Sequence, residues 1–378
     1  MKNIFILVGE RSADVHAAEV IKQLKQKNHS LNIWGIGGPL MQKQGFESIF
    51  PFSKFSIIGF AEVIGHLGFI LKVFRKLKSE FIARKPDLAI LVDYPGMNIR
   101  VAKIAHEFGI PVLYYISPQV WAWKKKRIHK IAKYSDKIAV IFPFENELYE
   151  EIGADVEYVG HPISEEINIS CTKEEFAKKY SLDLKKDWVG FIPGSRNVEI
   201  KRILPEIVET IKNLKKTYNN SYEYLISQAD SVSDELFKKI ISPIKNNVTI
   251  IHDTHALMKY SKVVVCKSGT STLETGYMGT PMVVVYKTSW LSYFIARAFI
   301  KINMIALANI VIGNKVLPEL IQHAASAENI TKEVRLFLED DNYYQKTRNE
   351  LCMIKEKLGK FNTSEKVALI AFSMINET

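Results

Sequence analysis

Leu88-Ala89-Ile90-Leu91-Val92-Asp93-Tyr94-Pro95-Gly96-Met97-Asn98 is an unbroken run of five apolar residues closed by a carboxylate and a proline–glycine pair. A run of this length without polar alternation reads as a strand buried on both faces, the habit of parallel sheets. The same reading extends outward to Ile4–Val8, Val112–Ile116 and Ile138–Phe142, with helical spacing between them at His16–Lys27 and Ile99–Phe108. After Gly160-His161-Pro162 a polar, acidic stretch marks a domain junction. The alternation then resumes with Val189–Ile192, Tyr224–Ser227, Val248–Ile251, Val263–Cys266 and Met282–Tyr286. Two successive βαβ series predict an α/β fold of two doubly wound, Rossmann-like parallel-sheet domains. In such sheets ligands bind at the carboxyl ends of the strands.

A chain of 378 residues exceeds what one hydrophobic core supports, in keeping with two domains. With 47% hydrophobic and 24% charged residues, long disordered stretches are not expected. Cys171, Cys266 and Cys352 are widely spaced and form neither a disulfide framework nor a zinc motif, which suits a reducing compartment. The apolar run Ile4–Val8 is too short for a signal peptide, and no stretch approaches the ~20 apolar residues that span a bilayer. The expected location is therefore cytoplasmic. Net charge is +10, and residues 63–133 alone carry 14 Lys/Arg against four acids. One basic face points to an anionic partner.

Chemistry-bearing residues cluster where strands end. Gly9-Glu10-Arg11-Ser12-Ala13-Asp14 follows the first strand and enters a helix, which suits an anion or simply a capped turn. No GxGxxG is present, so a nicotinamide or flavin cofactor is not indicated. A carboxylate such as Asp93 at the end of a buried strand is costly unless paired or functional. Pro95 and Gly96 are expected to delay the next helix and leave Asp93 facing the interdomain space as a candidate general base. In the second half, Ile192-Pro193-Gly194-Ser195-Arg196 offers a glycine turn and a guanidinium fork to phosphate, before a helix expected near Glu199. Ser268-Gly269-Thr270-Ser271-Thr272-Leu273-Glu274 opens a further helix with small and hydroxyl residues suited to a diphosphate, and Glu274 one turn on suits ribose. Each of these also has a plainer reading as a turn or a capped helix start.

Taken together and in order, these motifs resemble the lipid-A-disaccharide synthase family, glycosyltransferases of the GT-B architecture, which implies two Rossmann-like domains facing a central cleft. The resemblance also runs through Gly35-Ile36-Gly37-Gly38-Pro39-x-Met41, Ile58-Gly59-x-x-Glu62-Val63, Asp93-x-Pro95-x-x-Asn98, Tyr115-x-Ser117-Pro118-x-x-Trp121-Ala122-Trp123, Phe142-Pro143-Phe144-Glu145, Asn309-x-x-x-Gly313 and Pro318-Glu319-Leu320-Ile321-Gln322. It implies inverting transfer of 2,3-diacylglucosamine from its UDP derivative to the 6-hydroxyl of 2,3-diacylglucosamine 1-phosphate, giving a β-1,6 disaccharide 1-phosphate and UDP. It assigns Asp93 as the base, with Glu10 and Arg196 beside it in the catalytic set. Gly194, Ser195, Arg196, Ser268, Gly269, Thr270, Glu274 and Asn309 would line the UDP site, and Glu10, Ser12, Asp14 and Asn98 the sugar and acceptor side. No metal is expected, which the lack of a clear DxD triplet fits, and no cofactor is expected either. The family's usual Gly-Glu-Ala-Ser-Gly-Asp is altered here at Arg11 and Ala13, Met97 replaces a phenylalanine, and Asn314 stands where arginine is common. If position 13 needs positive φ, alanine there costs roughly 1 kcal/mol.

The expected domains are 1–163, facing acceptor and membrane, and 164–349, binding the UDP-sugar, with a helix in 350–378 packing back on the first. Residues 55–78 combine Ile57, Ile58, Phe60, Phe69, Leu71 and Phe74 with Lys72, Arg75, Lys76 and Lys78, which suits an anionic membrane interface. A buried helix with a solvated basic end is the alternative reading of this pattern, and buried packing of Trp121 and Trp123 fits as well as an interfacial anchor. The expected partners are thus the two acylated substrates and the cytoplasmic face of the inner membrane, not nucleic acid; a homodimer is compatible with the sequence. A UDP-N-acetylglucosamine 2-epimerase could share the fold but would not need the apolar–basic patch. A non-catalytic basic RNA- or lipid-binding protein would explain the charge but not Asp93.

Overall fold

The computed structural model describes residues 2–52, 67–121, 126–167, 169–290, 293 and 303–376. It divides into two compact units, Met1–Glu165 with Leu358–Thr378, and Glu166–Lys357.

The first unit holds a seven-stranded sheet in the order β3-β2-β1-β4-β5-β6-β7. Its strands are β1 (Asn3–Leu7), β2 (Asn32–Ile36), β3 (Glu47–Ser48), β4 (Leu88–Val92), β5 (Val112–Tyr115), β6 (Lys137–Val140) and β7 (Val156–Tyr158). Every ladder is parallel. β4 is buried at all five positions, as its unbroken apolar run requires. Chain order reverses between β1 and β4, which pair from Ile4–Leu88 to Leu7–Leu91. The crevice outside such a reversal is where open α/β sheets bind ligands. It brings Gly9-Glu10 after β1 beside Asp93 after β4.

The helix Thr363–Asn376 belongs to this unit and packs on the helix Arg11–Lys27. Lys2 Nζ donates to Ile375 O (3.0 Å) and Lys366 Nζ to Tyr158 O (2.6 Å). The chain returns to the first unit at Leu358, not at 350, because Leu351 and Ile354 are buried against Gly276 of the second.

The second unit holds a six-stranded sheet in the order β10-β9-β8-β11-β12-β13, also parallel throughout. Its strands are β8 (Asp187–Ile192), β9 (Tyr222–Ser227), β10 (Thr249–Ile251), β11 (Val263–Lys267), β12 (Met282–Tyr286) and β13 (Glu319–Ile321). Here the reversal lies between β8 and β11, with Ile192 opposite Cys266. Gly194 and Gly269 follow these two strands.

The apolar–basic segment is described only from residue 67; residues 53–66, and with them Ile57, Ile58 and Phe60, lie outside the described residues. In the helix Leu67–Arg84, Val73, Leu77 and Phe81 are buried, and Phe69 and Phe74 pack against the same core. Leu71 and Ile82 remain 50% and 62% exposed beside exposed Lys72, Arg75, Lys76 and Lys78. Among the described residues no helix is long and apolar enough to cross a membrane.

Candidate active site

At the end of β4 the backbone turns left-handed twice, at Asp93 (φ 48°) and Tyr94 (φ 45°), and at the end of the neighbouring β5 once more, at Ile116 (φ 60°). Each such turn outside glycine costs on the order of 1–3 kcal/mol and persists only where the surroundings enforce it. The enforcement is visible. Asp93 N donates to Tyr115 O (3.0 Å), while Asp93 O accepts from Tyr114 Oη (2.8 Å) and Asn98 Nδ2 (2.8 Å). Asn98 Nδ2 also donates to Val92 O (3.0 Å). The Tyr94 ring lies where a Cβ on Gly9 would sit, 2.2 Å away, so only glycine fits there.

The helix after β4 starts at Pro95, not at Ile99, with Tyr94 in the capping position. Proline's fixed φ suits a first helical residue. The left-handed pair, and not the proline–glycine pair, is therefore what keeps Asp93 out of the helix start. Its carboxyl is pushed up from 3.8 to about 6, first by burial and then by the charge of Glu10, with the Tyr94 backbone N–H and His16 pulling the other way. A carboxylate near 6 is suited to accept a proton close to neutral pH.

Around it the expected acceptor-side residues divide. Glu10 is exposed at the head of the helix Arg11–Lys27 without capping it, and Ser12 is exposed beside it. Ala13 is buried inside that helix, so the left-handed strain considered for this position does not arise. Asp14 is buried, and its carboxylate accepts from Gly38 N (2.9 Å), Leu40 N (3.1 Å) and Met41 N (3.2 Å). It caps the helix Pro39–Lys43 instead of facing a sugar. Asn98 is completely buried, and its amide N–H groups are spent on the backbone around Asp93.

Two further titratable side chains, Glu145 and His161, are buried in the same unit. Glu145 is pushed up to about 8, chiefly by burial, and accepts from Trp121 Nε1 (3.1 Å) and Phe142 N (3.3 Å). Trp121 is thereby held in the fold; Trp123 lies outside the described residues. His161 is driven down to about 3, first by burial, and accepts from Ile163 N at Nδ1 (3.1 Å), so its ring is neutral. Both stand in motifs quoted above, Phe142-Pro143-Phe144-Glu145 and Gly160-His161-Pro162. Their residue types alone carried no sign of burial.

In the second unit Gly194 takes φ 118°, and a Cβ there would come within 2.4 Å of Glu199 Oε2. That oxygen accepts from Ser195 N (3.0 Å) and Arg196 N (3.3 Å), and Glu199 Oε1 pairs with Lys267 Nζ (2.9 Å). The expected open phosphate cradle at Gly194–Ser195 is thus filled by the chain's own carboxylate. The helix begins at Asn197, slightly earlier than expected. Arg196 is exposed, and its guanidinium has no ion pair among the described residues.

After β11, Gly269 adopts φ 157°, a conformation only glycine takes readily, and the helix Thr270–Tyr277 follows with no side chain capping it. Thr270 is exposed at its first position. Ser268, expected to meet phosphate, is buried and donates to Ile305 O (2.9 Å). Asn309, also expected to line the nucleotide, is fully buried. Its Nδ2 donates to Leu317 O (3.0 Å) and Glu319 Oε1 (2.9 Å), and its Oδ1 accepts from Val316 N (3.1 Å) and Leu317 N (2.9 Å). Its hydrogen-bonding capacity is used up in shaping the following turn. Glu274 differs: half-buried and pushed up to about 7, first by burial and then by Glu166, its carboxylate accepts no hydrogen bond among the described residues. Among the described residues the helix start has no side-chain cap, the guanidinium no ion pair and the carboxylate no hydrogen bond; a nucleoside diphosphate would use the first two for phosphate and the third for hydroxyls.

The sequence profile of the family described as lipid-A-disaccharide synthetase matches residues 4–372. The lipid-A-disaccharide synthase of Geobacter sulfurreducens is 38% identical over 375 residues, covering 99% of this chain and 97% of that protein. Among solved structures, the chain is similar to the S. aureus MnaA–UDP co-structure, with a TM-score of 0.69, 13% identity and 100% and 98% of the two chains covered. It is also similar to CalG4, the calicheamicin glycosyltransferase, with a TM-score of 0.64, 12% identity and 100% and 99% covered. These two likenesses speak for the fold.

Proposed function

The chain belongs to the lipid-A-disaccharide synthetase family, and on that premise we propose that it transfers 2,3-diacylglucosamine from UDP to the 6-hydroxyl of 2,3-diacylglucosamine 1-phosphate. The observation that carries the chemical reading is Asp93, a carboxylate at a sheet's reversal point with its pKa lifted to about 6. In the proposed step Asp93 takes the acceptor hydroxyl's proton as that oxygen attacks the anomeric carbon, and inversion gives the β-linked disaccharide. Burial and, after it, Glu10 keep the Asp93 carboxyl raised, and Glu10 and Ser12 are exposed polar groups on the proposed acceptor side.

UDP departs with growing negative charge. Arg196, the Gly269–Thr270 backbone and the helix start behind it would stabilise that charge without a metal, and Glu274 would hold the ribose hydroxyls. Lys267 and Glu199 support the Ser195–Arg196 turn behind this surface. Glu145, kept neutral at moderately acidic and neutral pH by burial, and neutral His161 add no charge to compete with the base.

Leu71 and Ile82, with Lys72, Arg75, Lys76 and Lys78, support association with an anionic membrane surface, where acylated substrates reside. The reaction is tested by incubating the purified protein with both substrates in a chelator and looking for the disaccharide 1-phosphate by mass spectrometry. Absence of product while the substrates persist would refute the transfer, and product formed only after magnesium is restored would refute metal independence. Turnover of unacylated UDP-N-acetylglucosamine with no acceptor would favour an epimerase instead.

A further inference from the structure

Asp93 is held by contacts to its backbone, and those contacts come from side chains that no substrate can touch. Tyr114 and Asn98 are both fully buried, yet both donate to one atom, Asp93 O, at 2.8 Å each. Tyr114 belongs to β5, the strand beside β4, and Asn98 to the first turn of the following helix, so the two grips come from different elements. What they hold is a left-handed aspartate followed by a left-handed tyrosine, a conformation that the chain would relax if released. Asn98 Oδ1 is buried with no hydrogen-bond partner among the described residues, so this amide is retained for its N–H groups.

We propose that Tyr114, with Asn98, is a positioning residue that fixes the Asp93 carboxylate for proton abstraction by locking the strand-end backbone. The inference rests on the reading of Asp93 as base and deepens it. A base must sit within hydrogen-bond reach of the proton it takes, and a displacement of about 1 Å costs about a hundredfold in rate. Since neither donor touches the carboxylate itself, the effect is on placement and not on the nucleotide, whose proposed contacts belong to the other unit. Beyond burial, the groups that act on the carboxylate are Glu10 and His16 on the Gly9–Lys27 segment and the Tyr94 backbone N–H, and Asp93 in turn acts on Tyr114 and Glu145. Tyr114→Phe leaves all of these except its own hydroxyl in place.

The test is a double-mutant cycle on the full chain, with Tyr114→Phe, Asp93→Asn and the double variant assayed with both acylated substrates. Tyr114→Phe should lower kcat ten- to a hundredfold with KM for donor and acceptor within about twofold, while binding UDP as the parent does. On the Asp93→Asn background the same change should cost less than about twofold, since there is no base left to misplace. Asn98→Ala, which removes the other grip, should repeat this pattern and carries the test if the tyrosine variant does not fold. Parent-like kcat in folded Tyr114→Phe would overturn the proposal, as would an equal loss on both backgrounds. Near-parent turnover in Asp93→Asn alone would instead remove Asp93 as base, a separate failure that the single variant identifies.

Discussion

Replacing Asp93 by asparagine separates the charge of this side chain from its shape. The carboxyl has an ordinary value of 3.8 and is raised to about 6 in the folded chain, mainly by burial. Between those two values the folded state binds more protons than the unfolded state, so stability falls as pH rises through this window. Above about pH 6 the loss is complete. Its size follows from about 1.4 kcal/mol per pH unit, which gives roughly 3 kcal/mol for the ionised group. Asparagine stays neutral and keeps the backbone grip, because Tyr114 and Asn98 hold the residue 93 carbonyl and not its side chain. The variant should therefore be more stable than the parent by up to about 3 kcal/mol at about pH 7.5, while losing most turnover. Below about pH 4 the two should converge. Urea denaturation followed by tryptophan fluorescence at both pH values measures the difference. A variant no more stable at about pH 7.5, or equally stabilised at about pH 4, would refute the claim that a half-buried, ionised carboxylate is maintained here at a cost.

The turnover of the parent should itself fall as pH drops through about 6, and the acidic limb of the kcat/KM profile is the measurement that checks it. Gly9→Ala places a Cβ inside the Tyr94 ring, so the melting temperature should fall by an amount equivalent to about 1–3 kcal/mol and kcat should fall with it. Glu274→Gln should weaken UDP binding about tenfold by calorimetry and raise the donor's KM, with kcat at saturation close to the parent's; unchanged affinity would remove Glu274 from the ribose. Arg196→Ala should lower kcat by about a hundredfold with folding unaffected, because the residue is exposed and bears on charge that grows during the reaction. Leu71→Ser with Ile82→Ser should reduce flotation with anionic liposomes and leave the melting temperature unchanged. Phe69 and Phe74 are unsuited to that test, since both pack against the core.

The strands were legible because burial on both faces leaves a composition that little else produces, and β4 shows it most plainly in Leu88–Val92. Short or half-polar strands left no such trace: β3 is Glu47–Ser48, β7 is Val156–Tyr158 and β13 is Glu319–Ile321, each partly exposed. Among site residues, Asp93 stands at a sheet's reversal point, Arg196 is exposed, and Glu274 accepts no hydrogen bond at its carboxylate among the described residues. Asp14, Ser268 and Asn309 lie in equally suggestive motifs but are consumed internally. A motif records which groups are present, whereas their availability depends on partners as distant in sequence as Gly38 and Ile305.

The sequence by itself determined the two parallel α/β series, the carboxylate at the end of β4 and the glycine turns after β8 and β11, because these follow from burial and steric permission read locally. Only the tertiary structure decided which polar groups remain free. The left-handed turn at Asp93 and Tyr94, the capture of the Ser195 and Arg196 amides by Glu199, and the lifting of Asp93 to about 6 all arise from through-space neighbours and loss of solvent. Hydrogen-bond competition and desolvation act across the fold, and no local stretch of residues encodes them.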